Sequence, residues 1–267
     1  MISDTAYTNI LTWFNDYTRS FIDSDPIEKR AATLKFDHTL LVVKNNMLLC
    51  DSISIDSEVR CLSAIVALLH DIGRFEQFRT FKTFADRHSV NHAVLGIQII
   101  EQHNVLEELE IGHQKLIQNA IMLHNVPSLP PETSGVQKLL CQLIRDADKL
   151  DIYRIVSEHY KNPDSRDSEI IGIGVTEENA VSEEIVAAIC AKKSVDYSQM
   201  KSINDFKLVQ LGWVFDLNFP MSVHLITRRN HYYDILDSLP RDKTINAVVD
   251  VIEQHIKHVL VDFTSQP

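Results

Sequence analysis

The chain has 267 residues, 45% of them hydrophobic, with a formal net charge of -11 and a pI near 5.5. That length buries a core without outside help. The negative charge argues against a nucleic-acid polymer or an anionic membrane as partner, since both would be repelled by the summed field.

With 7 Gly and 8 Pro against long stretches of Leu, Ile, Val, Glu and Lys, the composition predicts an all-α fold. The opening MISDTAYTNILTWFNDYTRS has no basic stretch followed by an apolar one, and no run of about 18 apolar residues occurs, so a soluble, unprocessed chain is expected. Cys50, Cys61, Cys141 and Cys190 lack C-x-x-C spacing, the pattern of reduced thiols in a cytoplasmic protein.

In chain order, apolar periodicity predicts helices over 5–22, 27–50, 57–70, 88–102, 107–124 and 135–160. Gly73 to Arg87 reads as a loop rich in Arg and Phe. Val126-Pro127-Ser128-Leu129-Pro130-Pro131 cannot continue a helix, because proline lacks the donor and clashes with the preceding turn. The pattern loosens after Lys161-Asn162-Pro163-Asp164, and helices resume over 177–192, 203–216, 220–237 and 243–262. The expected organisation is a helical core over residues 1–160, with 161–267 as a helical extension packed on it within the same domain. Trp213, Phe215, Phe219, Tyr232 and Tyr233 are assigned to the core of that extension.

The chemistry-bearing residues lie on core-facing rows. A His-Asp pair alone is weak, since 12 His and 22 Asp yield about one by chance. Here the almost wholly apolar VRCLSAIVALL, residues 59–69, delivers His70-Asp71 at its end, which marks a central helix. His38 shares a stripe with Leu34, Leu41 and Leu48. His88 and His92 share one with Leu95 and Ile99, His124 one with Ile117 and Ile121, and Asp148 and Asp151 one with Leu140 and Ile144. Asp146 lies about 200° around the helix from Asp148. Left unpaired in a core, such groups would cost roughly 1–3 kcal/mol each, and more if charged, so they must meet each other or an ion. Imidazole with carboxylate suits Mn, Fe, Ni or Zn, with Mg also allowed, and the lack of cysteine ligands argues against a closed structural zinc site.

In order, His38, His70-Asp71, His92, His124 and Asp148 form an H…HD…H…H…D arrangement, and over residues 30–160 the chain resembles the HD superfamily of metal-dependent phosphohydrolases. VALLHDIGRFEQFRTFKTFADRHSVNHAVLG and LIRDADKLDIYR are similar to the family's motifs. The resemblance implies an HD-domain helical bundle with one or two divalent ions. His38, His70, Asp71 and Asp148 would hold one, and Asp71 would bridge to a second on His92 and His124. Register alone leaves His88 open beside His92, and the resemblance of His92-Ala-x-x-Gly to the family pattern favours His92. Asp71 and Arg74 are the candidate catalytic residues, and Arg74, Arg79 and Lys82 the candidate phosphate contacts, with Arg87 further along. The expected activity is hydrolysis of a nucleotide or other small phosphoester. The alternatives are a di-iron oxygenase of the same fold and a nucleotide-binding sensor.

Overall fold

A computed structural model describes residues 4–23, 25–162, 180–193, 195 and 199–264. Among the described residues there is no strand, in keeping with the all-α expectation, and no helix is long and apolar enough to cross a membrane. The chain divides into two compact units, Met1–Asp151 and Ile152–Pro267.

The first unit contains α1 (Asp4–Ile22), α2 (Pro26–Asp51), α3 (Ser57–Leu69), α4 (Gly73–Phe81), α5 (His92–Gln102), α6 (Ile111–Leu123) and most of α7 (Gly135–Lys161). Local chemistry sets the starts. The Asp25 carboxylate accepts the amides of Ile27 and Glu28, with Pro26 in the first turn of α2. Asp56 accepts the amide of Val59 at the head of α3, and Asn91 accepts those of Ala93 and Val94 at the head of α5. As expected, α3 is the central helix: every residue from Leu62 to Leu69 is buried, and it packs against α1, α2 and α6.

The loop expected over Gly73–Arg87 is instead helical up to Phe81. Phe75, Gln77 and Phe78 are buried on one face of α4, and Phe75 meets Phe14 and Phe21 at ring-centroid distances of 6.3 and 5.6 Å. The nine-residue length and the interleaved Arg, Glu and Gln hide this stripe from a periodicity count. The helix ends at Lys82, which takes a left-handed conformation at φ 55. The helix expected from 88 starts at His92, because Asn91 caps it; His88 lies in a 3-10 turn, Asp86–His88, and is exposed. The helix expected from 107 starts at Ile111.

The second unit contains the end of α7, then α8 (Glu183–Cys190), α9 (Ile203–Gly212), α10 (Pro220–Arg228), α11 (His231–Asp237) and α12 (Lys243–Thr264). Positions 177–179 of the helix expected over 177–192 lie outside the described residues. The helix expected over 203–216 passes into a 3-10 turn at Trp213. That over 220–237 breaks at Arg229 and Asn230, the latter left-handed at φ 62, a conformation asparagine tolerates. Tyr232 is fully buried, whereas Tyr233 is 42% exposed and only partly meets its assignment to the core. All four cysteines are free thiols; Cys190 is exposed.

Candidate metal centre

Five helices of the first unit converge on one polar cluster. His38 comes from the middle of α2, His70 and Asp71 from the end of α3, His92 from the first position of α5, His124 from the end of α6, and Asp148 and Asp151 from α7. The four histidines, Asp71 and Asp151 are all buried, and the Asp148 side chain is 19% exposed.

His70 and His124 occupy the same local position, each just after the last residue of a helix, where backbone carbonyls lack partners. Each Nδ1–H donates to the carbonyl three residues back, His70 to Ala67 at 2.8 Å and His124 to Ile121 at 2.6 Å. His38 and His92 donate to carboxylates instead. His38 Nδ1 lies 2.7 Å from Asp151 Oδ2, and His92 Nδ1 lies 2.7 Å from Asp86 Oδ2. Every partner is an acceptor only, so each Nδ1 carries its proton and each Nε2 keeps a lone pair.

Those Nε2 atoms fall into two sets, one on each oxygen of Asp71. Asp71 Oδ2 lies 3.6 Å from His38 Nε2 and 3.7 Å from His70 Nε2, and Asp148 Oδ1 lies 3.1 and 3.8 Å from the same two nitrogens. Asp71 Oδ1 lies 3.3 Å from His92 Nε2 and 3.9 Å from His124 Nε2. Ligands about 2.1 Å from one ion stand about 3.0–3.4 Å apart in octahedral or tetrahedral geometry, so both sets are close to the spacing a single ion imposes. Nε2 of His38 and of His70 are buried without a hydrogen-bond partner. His92 Nε2 faces His124 Nε2 at 3.0 Å. Two imidazole lone pairs at that distance repel unless a cation joins them, so the donors fit a metal.

The electrostatics agree. Burial, with the charges of His92 and His70, pushes His124 down to about 3, and burial also lowers His92 despite the Asp86 hydrogen bond. Both imidazoles are therefore neutral near pH 7, the form that binds a metal. Burial and Lys35 depress His38, but the neighbouring carboxylates of Asp148 and Asp151 outweigh them and raise it. Burial works to raise Asp71; Lys35, His70, Arg74 and His92 overcome it and hold the carboxyl well below the usual range. The adjacent His38 and His70 imidazoles do the same for Asp148 against its burial.

A comparison with protein-family models matches residues 36–153 to the HD domain. Over those residues the chain is similar to the HD domain. Searches of curated proteins and of solved structures return no match. HD domains bind divalent metals and are largely metal-dependent phosphohydrolases, and the donor sets His38–His70–Asp71 and Asp71–His92–His124 lie within the matched residues.

All six expected metal ligands are thus brought together, while His88 stays outside. Arg74 borders the centre, its Nε 3.4 Å from Asp71 Oδ1. Its Nη1 donates to Gln77 Oε1, the Phe84 carbonyl and Asp86 Oδ1. Arg79 and Lys82 are engaged elsewhere: both pair with buried Glu28, at 2.7 and 3.5 Å, and Arg79 also lies over the Phe21 ring.

Four participants escape the sequence reading. Lys35 stands one turn before His38, its Nζ 2.6 Å from Asp71 Oδ2, a register that could have found it. Asp151 was placed on the Asp148 face and turns out to hold His38. Asp86 holds His92, Arg74 and Gln77 at once and is lowered to about 2, against its burial, by His92 and Arg74; nothing in the loop's composition marks it. Buried Arg145 donates to the carbonyls of His124, Val126 and Pro127, anchoring the turn after α6.

Each donor set therefore has one histidine supported by a carboxylate. Asp151→Asn and Asp86→Asn remove that charge without changing shape. Each is expected to lower divalent-metal affinity by about 10–100-fold, read by calorimetric titration with Mn2+. Isotherms matching the parent's would show that these carboxylates do not tune the centre.

Proposed function

We propose that this HD domain is a metal-dependent phosphohydrolase that acts on a nucleotide or another small phosphoester in the cytoplasm. The observation that carries the reading is the pair of donor sets joined through the two oxygens of Asp71, with all four Nε2 lone pairs turned to it.

In this reading His38, His70, Asp71 and Asp148 would hold one ion, and Asp71, His92 and His124 a second. Divalent ions held there would supply Lewis acidity toward water and a phosphoryl group. The protein residues supply position. Carbonyls of Ala67 and Ile121 and carboxylates of Asp151 and Asp86 lock the four rings, so little reorganisation is needed on binding. Arg74 presents its Nε edge to Asp71 and is the best-placed residue of the α4 segment to meet a phosphate oxygen. Arg79 and Lys82 would have to leave Glu28 to do so.

The net charge of -11 suits a small substrate drawn in by ions better than a nucleic-acid polymer. The four free thiols suit a reducing compartment.

The test is metal analysis of the freshly purified protein, followed by a hydrolysis screen of nucleotides and p-nitrophenyl phosphate with the metal found. One or two first-row ions per chain with release of phosphate or a phosphoester product is the expected result. Oxygen consumption by an iron pair would replace the reading with an oxygenase. Tight nucleotide binding without turnover would replace it with a sensor.

A further inference from the structure

A cation inside a set of metal ligands calls for a reason, because it competes with the metal for the same oxygen. Lys35 is such a cation. Its Nζ lies 2.6 Å from Asp71 Oδ2, the oxygen that faces His38 and His70, and the side chain is 16% exposed. Among the described residues Asp71 is its one hydrogen-bond partner, and its other neighbour is the face of Phe84, 5.4 Å from Nζ to the ring centroid. An ammonium has three donors; one points to Asp71 and two remain.

The other cations around the centre are drawn to other acceptors. The Nη1 of Arg74 is shared among Gln77, Phe84 and Asp86, while Arg79 and Lys82 lie on Glu28. Arg74 also approaches Asp71, so the carboxylate keeps a positive neighbour even without Lys35. A merely structural ion pair would leave two of the three ammonium donors unused. A mobile point charge on a flexible stem suits a group that arrives, reacts and leaves.

We infer that Lys35 is a substrate-binding residue: with the centre loaded, its free N–H donors take an oxygen of the phosphoryl group that the ions attract. The inference rests on the phosphohydrolase reading and adds to it a cation from α2, outside the segment that follows the His-Asp pair. It gives the anion a contact on the opposite Asp71 oxygen from Arg74.

The test uses the full chain loaded with Mn2+ and inorganic phosphate as probe, both titrated by calorimetry. Lys35→Met keeps the length of the stem and removes the charge; Lys35→Arg keeps the charge. Lys35→Met is expected to bind its full complement of Mn2+ at least as tightly as the parent, since a competitor for Asp71 is gone. Its phosphate affinity is expected to fall by about tenfold or more, and Lys35→Arg to recover most of that loss. Parent-like phosphate affinity in Lys35→Met, or loss of Mn2+ from it, overturns the inference and leaves the phosphohydrolase reading intact. A parent that takes up no Mn2+, or takes it up without binding phosphate, overturns both and does so before any variant is made.

Discussion

Asp71→Ala is expected to abolish phosphoester hydrolysis and to strip the protein of bound metal. Among the described residues Asp71 alone has an oxygen in each donor set, so the change removes one ligand from both at once. It leaves three donors in the first set and two, the facing imidazoles of His92 and His124, in the second. An ion contributes several kcal/mol of transition-state stabilisation; losing about 4 kcal/mol lowers the rate about a thousandfold. Lys35 and Arg74 lose their shared partner too, but each is 16% exposed and water can take its place. The fold should therefore survive, which a far-ultraviolet circular dichroism spectrum checks alongside metal analysis and rate. Metal content and turnover equal to the parent's would remove Asp71 from the centre altogether.

Gly73→Ala is expected to be among the most damaging substitutions in the first unit, although residue 73 bears no chemistry. A Cβ there would stand 2.2 Å from the His92 carbonyl oxygen and 2.7 Å from the Gly96 amide nitrogen. Both obstacles are backbone, so no side chain can swing aside; the starts of α4 and α5 must part. The expected loss is about 3–5 kcal/mol, read by chemical denaturation. Since the His92 carbonyl takes the push, Mn2+ affinity should fall as well. Gly96→Ala meets Ile72 Cγ2 at 3.3 Å and the Gly73 amide nitrogen at 3.4 Å, so its cost should be smaller. Gly112 near the start of α6 has nothing within 4 Å, and alanine there should be neutral or stabilising by up to about 1 kcal/mol. Equal stability for all three variants would refute the close-approach explanation.

The pattern legible in the chain was that of ligands on long apolar helices. His38, His92, His124 and Asp148 each sit where three-and-four spacing turns a side chain toward the core, and His70 with Asp71 ends an almost wholly apolar helix, so the hydrophobic pattern found them. The resemblance to the HD superfamily ordered them. Periodicity failed where an element is short or where contacts span the chain. The stripe in α4 is two phenylalanines and a glutamine among charged residues. Asp86 acts across a loop, and Arg145 caps the end of a helix 21 residues before it in sequence. Glu28 is an extreme case: an acid in a first turn reads as dipole compensation, yet it is buried and binds Arg79 and Lys82 more than fifty positions away. The same contacts explain why the basic residues of 74–87 look like a single phosphate-binding group in sequence and are divided in space, Arg74 to Asp71 and Asp86, Arg79 and Lys82 to Glu28.

In the proposed two-ion centre the shared carboxylate would also set a loading order. The His38–His70 side has two carboxylates near its Nε2 atoms, Asp71 and Asp148, whereas among the described residues the His92–His124 side has Asp71 alone there, with Asp86 behind the His92 ring. The first ion to arrive should settle where the negative charge is greater, and in doing so it spends part of the charge that its neighbour needs. A preparation with one equivalent of metal would then be a single species rather than a mixture, and a weak chelator would empty the His92–His124 side first.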